Sequence, residues 1–200
     1  MSLNYNKLRF RVEYRWIRSD TNLKQLILFV LMVMLTSHAT AVVVNQSAAG
    51  FLVRNVAVVT AVPEKVYDTL MNEIGNWWDP AHTFSGDAHN LSVENRVGGC
   101  FCEHFPGGGG VRHLTIVNMI PAKRLRLAGG LGPLQSGGIS GSLTWDLAET
   151  GEDTTVTLEY SVGGYLPDGL QNMAEPVDGM LNSQLQRLKS YIEHGRPAPE

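Results

Sequence analysis

The stretch from residue 96 to residue 114 reads RVGGCFCEHFPGGGGVRHL and gathers Cys100, Cys102, Glu103, His104 and His113 among six glycines. Side chains of these types support three chemistries: metal ligation, a thiolate nucleophile with its base, or a carboxylate and imidazole that share a proton. Strand geometry tests each of them, because positions i and i+2 lie about 6.8 Å apart and successive side chains point to opposite faces.

Cys100, Cys102 and His104 fall along one face of such a strand, too spread to meet a single zinc ion at about 2.0–2.3 Å. His82 and His89 in DPAHTFSGDAHN are the remaining candidate ligands, and nothing in the sequence fixes their distance. No metal site is therefore expected. A Cys102 nucleophile would depend on His104 as its base, and G-x-S-x-G, H-E-x-x-H and P-loop patterns are all missing from the chain. A Cys100–Cys102 bridge is disfavoured too, since an extended strand holds the two Cα atoms at the outer limit for a disulfide, although an exported protein could oxidise the pair if the strand is bent. The two cysteines read as small structural hydrophobes.

The carboxylate and imidazole remain. If PGGGG closes a regular hairpin, Phe105 faces Val111, Glu103 faces His113 and Phe101 faces Thr115. Phe101, Glu103, Phe105, His113, Val117 and Met119 then share the more apolar face, with Glu103 and His113 a directly opposed pair about 5 Å apart at Cβ. That face is expected to line a cavity and bind a ligand.

The surrounding elements must position this hairpin. FLVRNVAVVTAV reads as a strand, and after Pro63 the apolar positions Val66, Leu70 and Ile74 mark a helix. Trp77 and Trp78 end that helix; Trp78 reads as its surface cap and Trp77 as an aromatic ring at the cavity entrance. From Gly86 to Val162 short β-type runs alternate with turn segments, which suggests an antiparallel meander. Among these runs Trp145 and Tyr160 read as core, and GGLGPLQSGG as a mobile loop at the cavity mouth. The final segment is a long helix with the stripe Val177, Leu181, Leu185, Leu188, Ile192, capped by Gly195. The sum is an α+β domain in which one curved sheet covers one helix.

The ordered set VPEKVYDTL, WWDP, RVGG, IPAKRLRL and LTWDLAE/TTVTLEYSV resembles the START-like, or SRPBCC, superfamily, and within it the polyketide-cyclase-like and heat-shock-ATPase-activator-like branches. The resemblance covers residues 52 to 194. It implies a helix-grip fold, with an antiparallel sheet wrapped around the long C-terminal helix and a hydrophobic cavity, and it implies lipid-, sterol- or polyketide-like ligands. It supplies no catalytic residue to carry over.

Residues 1–41 differ from the rest. A basic lead-in precedes ten consecutive apolar residues, LILFVLMVML, and SHATA offers small residues at Ala39 and Ala41. Ten residues are too few to span a membrane and match a signal-peptide core, so residues 1–41 are expected to be a signal peptide, or an uncleaved anchor, ahead of one domain over 42–200. Six of the 16 basic and two of the 19 acidic residues lie in that segment, so the remainder carries about −7 rather than −3. This balance argues against nucleic acid as a partner. The expectation is an exported protein, without cofactor, that binds a hydrophobic small molecule; the alternative is a cyclase- or dehydratase-type enzyme with Glu103 and His113 as acid and base.

Overall fold

The structure is a computed structural model and describes residues 40–199. The expected signal segment therefore lies outside the described residues, apart from Thr40 and Ala41. Those two open a strand that the sequence reading missed, β1 (Thr40–Ser47), which pairs antiparallel with β2 (Gly50–Val59).

β2 is followed by helix α1 (Pro63–Asn72) and a single helical turn, α2 (Ile74–Trp77). The strands β3 (Leu91–Val93), β4 (Cys100–His104), β5 (Gly110–Ile120), β6 (Arg124–Ala128), β7 (Gly138–Thr150) and β8 (Asp153–Tyr165) come next. Helix α3 (Ala174–His194) ends the domain, and Gly195 stops it in the left-handed conformation at φ 70° while donating its N–H to Tyr191 O. The eight strands form one antiparallel sheet in the order β1-β2-β8-β7-β6-β5-β4-β3. This is the expected meander, joined along β8 to the β1–β2 hairpin.

Alternation decides which face meets the helix. Phe51, Val53, Ala57 and Val59 of β2, Val156, Leu158, Tyr160 and Val162 of β8, and Leu143, Trp145 and Leu147 of β7 are all buried. They receive the stripe Val177, Leu181, Leu185, Leu188 of α3, whose three leucines are fully buried and stabilise by about 2 kcal/mol each. The curved sheet gripping α3 is the α+β helix-grip fold expected from the sequence.

The hairpin β4–β5 departs from regular pairing, and the departures matter. His104 pairs with Gly110, so the loop is Phe105–Gly109, and Glu103 pairs with Val111 instead of His113. Cys102 then faces Arg112 while Phe101 faces Leu114, which leaves His113 as an extra residue in β5. Such a bulge interrupts alternation, and both His113 and Leu114 turn inward, 4% and 1% exposed. A second irregularity, between Ile116 and Asn118 against β6, leaves Val117 as another extra residue.

The same distortion corrects the reading of the cysteines. Cys100 and Cys102 form a disulfide, with Cα atoms 5.4 Å apart. The bridge was disfavoured on extended spacing and allowed only for a bent strand; β4 is contracted beside the bulge, and the bridge becomes attainable.

Candidate functional site

Glu103 is the centre of the site and is buried to 1% exposure. Its carboxylate accepts hydrogen bonds from the amides of Phe84 (3.0 Å) and Ser85, and its Oε2 lies 3.0 Å from His113 Nε2. Burial pushes its pKa up, but the hydrogen bonds from Phe84, Ser85 and His113 outweigh burial and hold it below the ordinary glutamate range. Glu103 is thus an anion at neutral pH. For His113 burial is the stronger influence and lowers the pKa, against the pull of Glu103 in the other direction. A neutral imidazole beside a carboxylate carries its proton on the nitrogen facing that carboxylate, so Nε2 donates and Nδ1 keeps a lone pair. Nδ1 is buried and has no hydrogen-bond partner.

The segment between α2 and β3 is fastened from two sides. Gln184 of α3 accepts from Asp79 N at 2.9 Å, the Trp78 indole donates to His82 O at 3.1 Å, and Glu103 holds the amides of Phe84 and Ser85. Opposite it, Tyr160 fixes the segment after β6: its hydroxyl donates to Gly129 O at 2.8 Å and accepts from Leu131 N at 3.0 Å. Burial raises the Tyr160 pKa to about 12, so this hydroxyl stays protonated.

Between these two segments and the start of α3 lies a cavity of about 330 Å3. Its aromatic wall is Trp78, Phe84, Phe101 and Tyr160, its aliphatic wall is Leu131, Pro133 and Leu134, and Met173 just before α3 closes it together with Val177 and Met180 of α3. The rings interlock: Trp78 meets Phe101 edge-on at 5.3 Å, Phe101 lies 5.0 Å from His113, and Phe84 stacks on His113 at 5.8 Å. No lysine, arginine, aspartate or glutamate lines the cavity.

Of the residues singled out from sequence, Phe101 and His113 line this cavity. Glu103 stands behind His113, outside the lining, and reaches the cavity wall through that imidazole and the Phe84 amide it holds. Phe105 is half-buried in the hairpin loop, away from the cavity lining, and Met119 packs on the core against β6. Val117 is corrected outright: it is 48% exposed, because the bulge at His113 reverses the alternation that was to turn it inward. The two tryptophans exchange places. Trp77 is fully buried core, donating to Thr69 O, and Trp78 is the ring at the cavity.

His82 lines the cavity mouth, while His89 bonds to Asp87. Among the described residues no three His, Cys, Asp or Glu side chains gather round a common point. GGLGPLQSGG forms a short 3-10 turn over Gly132–Ser136, with Leu131 and Leu134 buried against the cavity. The residues missed from sequence are chiefly loop residues, Phe84, Leu131 and Leu134, which have no periodicity to reveal that they line the cavity. Met180 is the neighbour of Leu181 at the flank of the helix stripe, and that adjacency was the available signal.

No protein-family model and no curated protein matches this chain. Solved structures do. The conserved protein of unknown function EF2215 from Enterococcus faecalis superposes with a TM-score of 0.56 at 17% identity over 86% of each chain. CalU16 from Micromonospora echinospora gives 0.54 at 16% identity, covering 82% of this chain and 88% of that one. The Aha1 dimer from Colwellia psychrerythraea gives 0.53 at 18% identity over 72% and 97%. CalU16 and Aha1 have the polyketide cyclase or SRPBCC-like fold, and the likeness shows that this chain shares that helix-grip fold.

Proposed function

We propose that this chain is an exported binding protein for a hydrophobic small molecule of lipid- or polyketide-like character, within the polyketide-cyclase-like branch of the SRPBCC superfamily. The observation that carries the reading is the cavity of about 330 Å3, walled by aromatic and aliphatic side chains and without a charged residue in its lining. Ligand sites are of this kind: largely apolar, with a few polar groups that orient the guest. Export is supported by the basic and apolar pattern of residues 1–41 and by the Cys100–Cys102 disulfide, a bond that persists in oxidising compartments. Native mass spectrometry of protein purified from its own host tests the binding reading. A co-purifying small molecule that is lost on substituting Phe101→Asp supports it, and a ligand-free protein that also fails to bind hydrophobic fluorophores overturns it. N-terminal sequencing of the secreted fraction tests export and is expected to begin at Val42.

The second reading is a cyclase- or dehydratase-type enzyme, and the Glu103–His113 pair favours it. With Glu103 engaged by its own partners, His113 would be the proton-transferring group in the cavity wall and Glu103 would orient it. Conversion of a bound ligand, abolished by His113→Gln with binding retained, would favour this reading over simple storage.

A further inference from the structure

We infer that the Cys100–Cys102 bridge is a redox-exchange site for a small dithiol, and that opening it shifts the register of β5 and turns His113 out of the cavity wall. The inference goes beyond the binding reading and does not depend on what the cavity holds.

The bridge stands where a reductant can reach it. Phe101 and Glu103 point inward, 3% and 1% exposed, while Cys100 and Cys102 alternate with them and are partly exposed on the outer face of the sheet. A single residue, Phe101, lies between the two cysteines, so the bridge closes a minimal loop and chain entropy does little to keep it shut. Arg112 is exposed and is the cross-strand partner of Cys102, which sets a cation on the side where Cys102 leaves as a thiolate. In the exchange a thiolate of the dithiol attacks Cys100 Sγ, the S–S bond breaks, and Cys102 departs with the electron pair and takes a proton from water. The second thiolate of the dithiol then attacks the reductant sulfur bound to Cys100, which closes the dithiol into a disulfide and releases Cys100. The dithiol is oxidised and the bridge is reduced.

The bridge and the bulge are one construction. Between Cys100 and Cys102 β4 advances 5.4 Å, about 1.4 Å less than extended spacing. Cys100 faces Thr115, Phe101 faces Leu114 and Cys102 faces Arg112, so the shortened strand leaves His113 over. Downstream, β5 cannot absorb that residue: Ile116 O accepts from Gly98 N and Ile116 N donates to Gly99 O, each at 2.8 Å, and Leu114 and Ile116 are buried. Upstream it can. Among the described residues β5 pairs with β4 alone before Thr115, and Gly107, Gly108 and Gly109 of the hairpin loop stand in open space.

Once β4 extends, the unbulged register that keeps Phe101 opposite Leu114 puts His113 opposite Cys102 and Arg112 opposite Glu103, with Gly110 passing into the loop. Alternation then turns His113 outward beside Cys102 and away from Glu103, from which its Nε2 is 3.0 Å in the closed form. Arg112 takes its place as a charge-assisted donor to the carboxylate. Gln135 braces the bulge while the bridge is closed, because its Nε2 donates to Arg112 O at 3.0 Å and to His113 O at 3.4 Å.

The full chain with the bridge closed is incubated with graded dithiothreitol without denaturant, then alkylated and freed of reagent. Diethyl pyrocarbonate next maps histidine accessibility by peptide mass, with the exposed His89 and His194 as internal references. The bridge is expected to open in the folded protein, and His113 to be modified about tenfold faster in the open form than in the closed one. Cys100→Ser/Cys102→Ser, which carries no thiol, is expected to show the fast His113 rate without reductant. A bridge that opens only after denaturant is added overturns the exchange site. An unchanged His113 rate in the open form, or a fast rate that appears together with loss of the tryptophan near-ultraviolet signal, overturns the register shift. The wild-type comparison stands even if the serine variant does not fold.

Discussion

Glu103 and His113 meet at 3.0 Å without being paired across the strands: the partner of Glu103 is Val111, and His113 is the residue the bulge adds. The contact is therefore built by an irregularity. In an unbulged hairpin with the same loop, Glu103 would still face Val111, and only one of His113 and Leu114 could point inward.

Glu103→Gln tests what the carboxylate holds. An amide has one acceptor oxygen where the carboxylate has two, so the Phe84 amide, the Ser85 amide and His113 Nε2 can no longer all be satisfied. The variant is expected to lose about 2–3 kcal/mol in urea unfolding, and His113 to become a mixture of tautomers in nitrogen-edited NMR spectra. An unchanged Nε2–H tautomer would show that Glu103 does not set it.

Acid should weaken the protein in two windows. His113 has a folded pKa below its unfolded value of 6.5, so the unfolded chain binds the proton first and stability falls as pH drops below about 6.5. Glu103 is also depressed, so its contribution is complete above the unfolded value of 4.5 and is lost as pH falls through its lower folded pKa. Chemical melts across pH 3–8 are expected to show both slopes, and His113→Leu to remove the upper one.

The helix stripe, the meander and the inward faces of β2, β7 and β8 were legible because each follows a simple period. Val177, Leu181, Leu185 and Leu188 are buried at helical spacing, and Phe51, Val53, Ala57 and Val59 at strand spacing. Phe101, Glu103 and His113 were legible as an inward group. The register that joins them was not, since a bulge leaves no signature in residue types, and it carried Val117 and the disulfide with it. β1 was missed because its first residues, Thr40 and Ala41, fall inside the small-residue pattern taken for a cleavage site. Phe84 and Leu134 belong to segments whose placement is decided by distant anchors, Glu103 and Tyr160 among them.

Reduction of Cys100–Cys102 is expected to cost about 1–2 kcal/mol, because so short a closed loop removes little freedom from the unfolded chain. The fold should survive, as the sheet pairs on either side do not depend on the bridge. Urea melts with and without a phosphine reductant measure the cost, and alkylation of the denatured, unreduced protein checks the bond. Two alkylated thiols there would show that the bridge does not form.

Gly141 and Tyr160 compete for one space, and that competition shapes the cavity wall. A Cβ at Gly141 would lie 2.6 Å from the Tyr160 ring and 2.7 Å from Ser161 O, far inside contact distance. The ring cannot give way freely, because its hydroxyl is bound on both sides, to Gly129 O and to Leu131 N. Gly141→Ala must therefore either strain β7 or tear Tyr160 from the segment it fixes, at an expected cost of about 2–3 kcal/mol. Tyr160→Phe leaves the Leu131 amide without its partner and is expected to cost about 1–3 kcal/mol. The double variant decides between the two mechanisms. If the ring yields in Gly141→Ala, the hydroxyl bonds are already lost there, and the two costs should overlap by about 1 kcal/mol or more in a double-mutant cycle. Strict additivity would mean that the backbone of β7 moves instead, and that Tyr160 keeps its hold on the cavity wall.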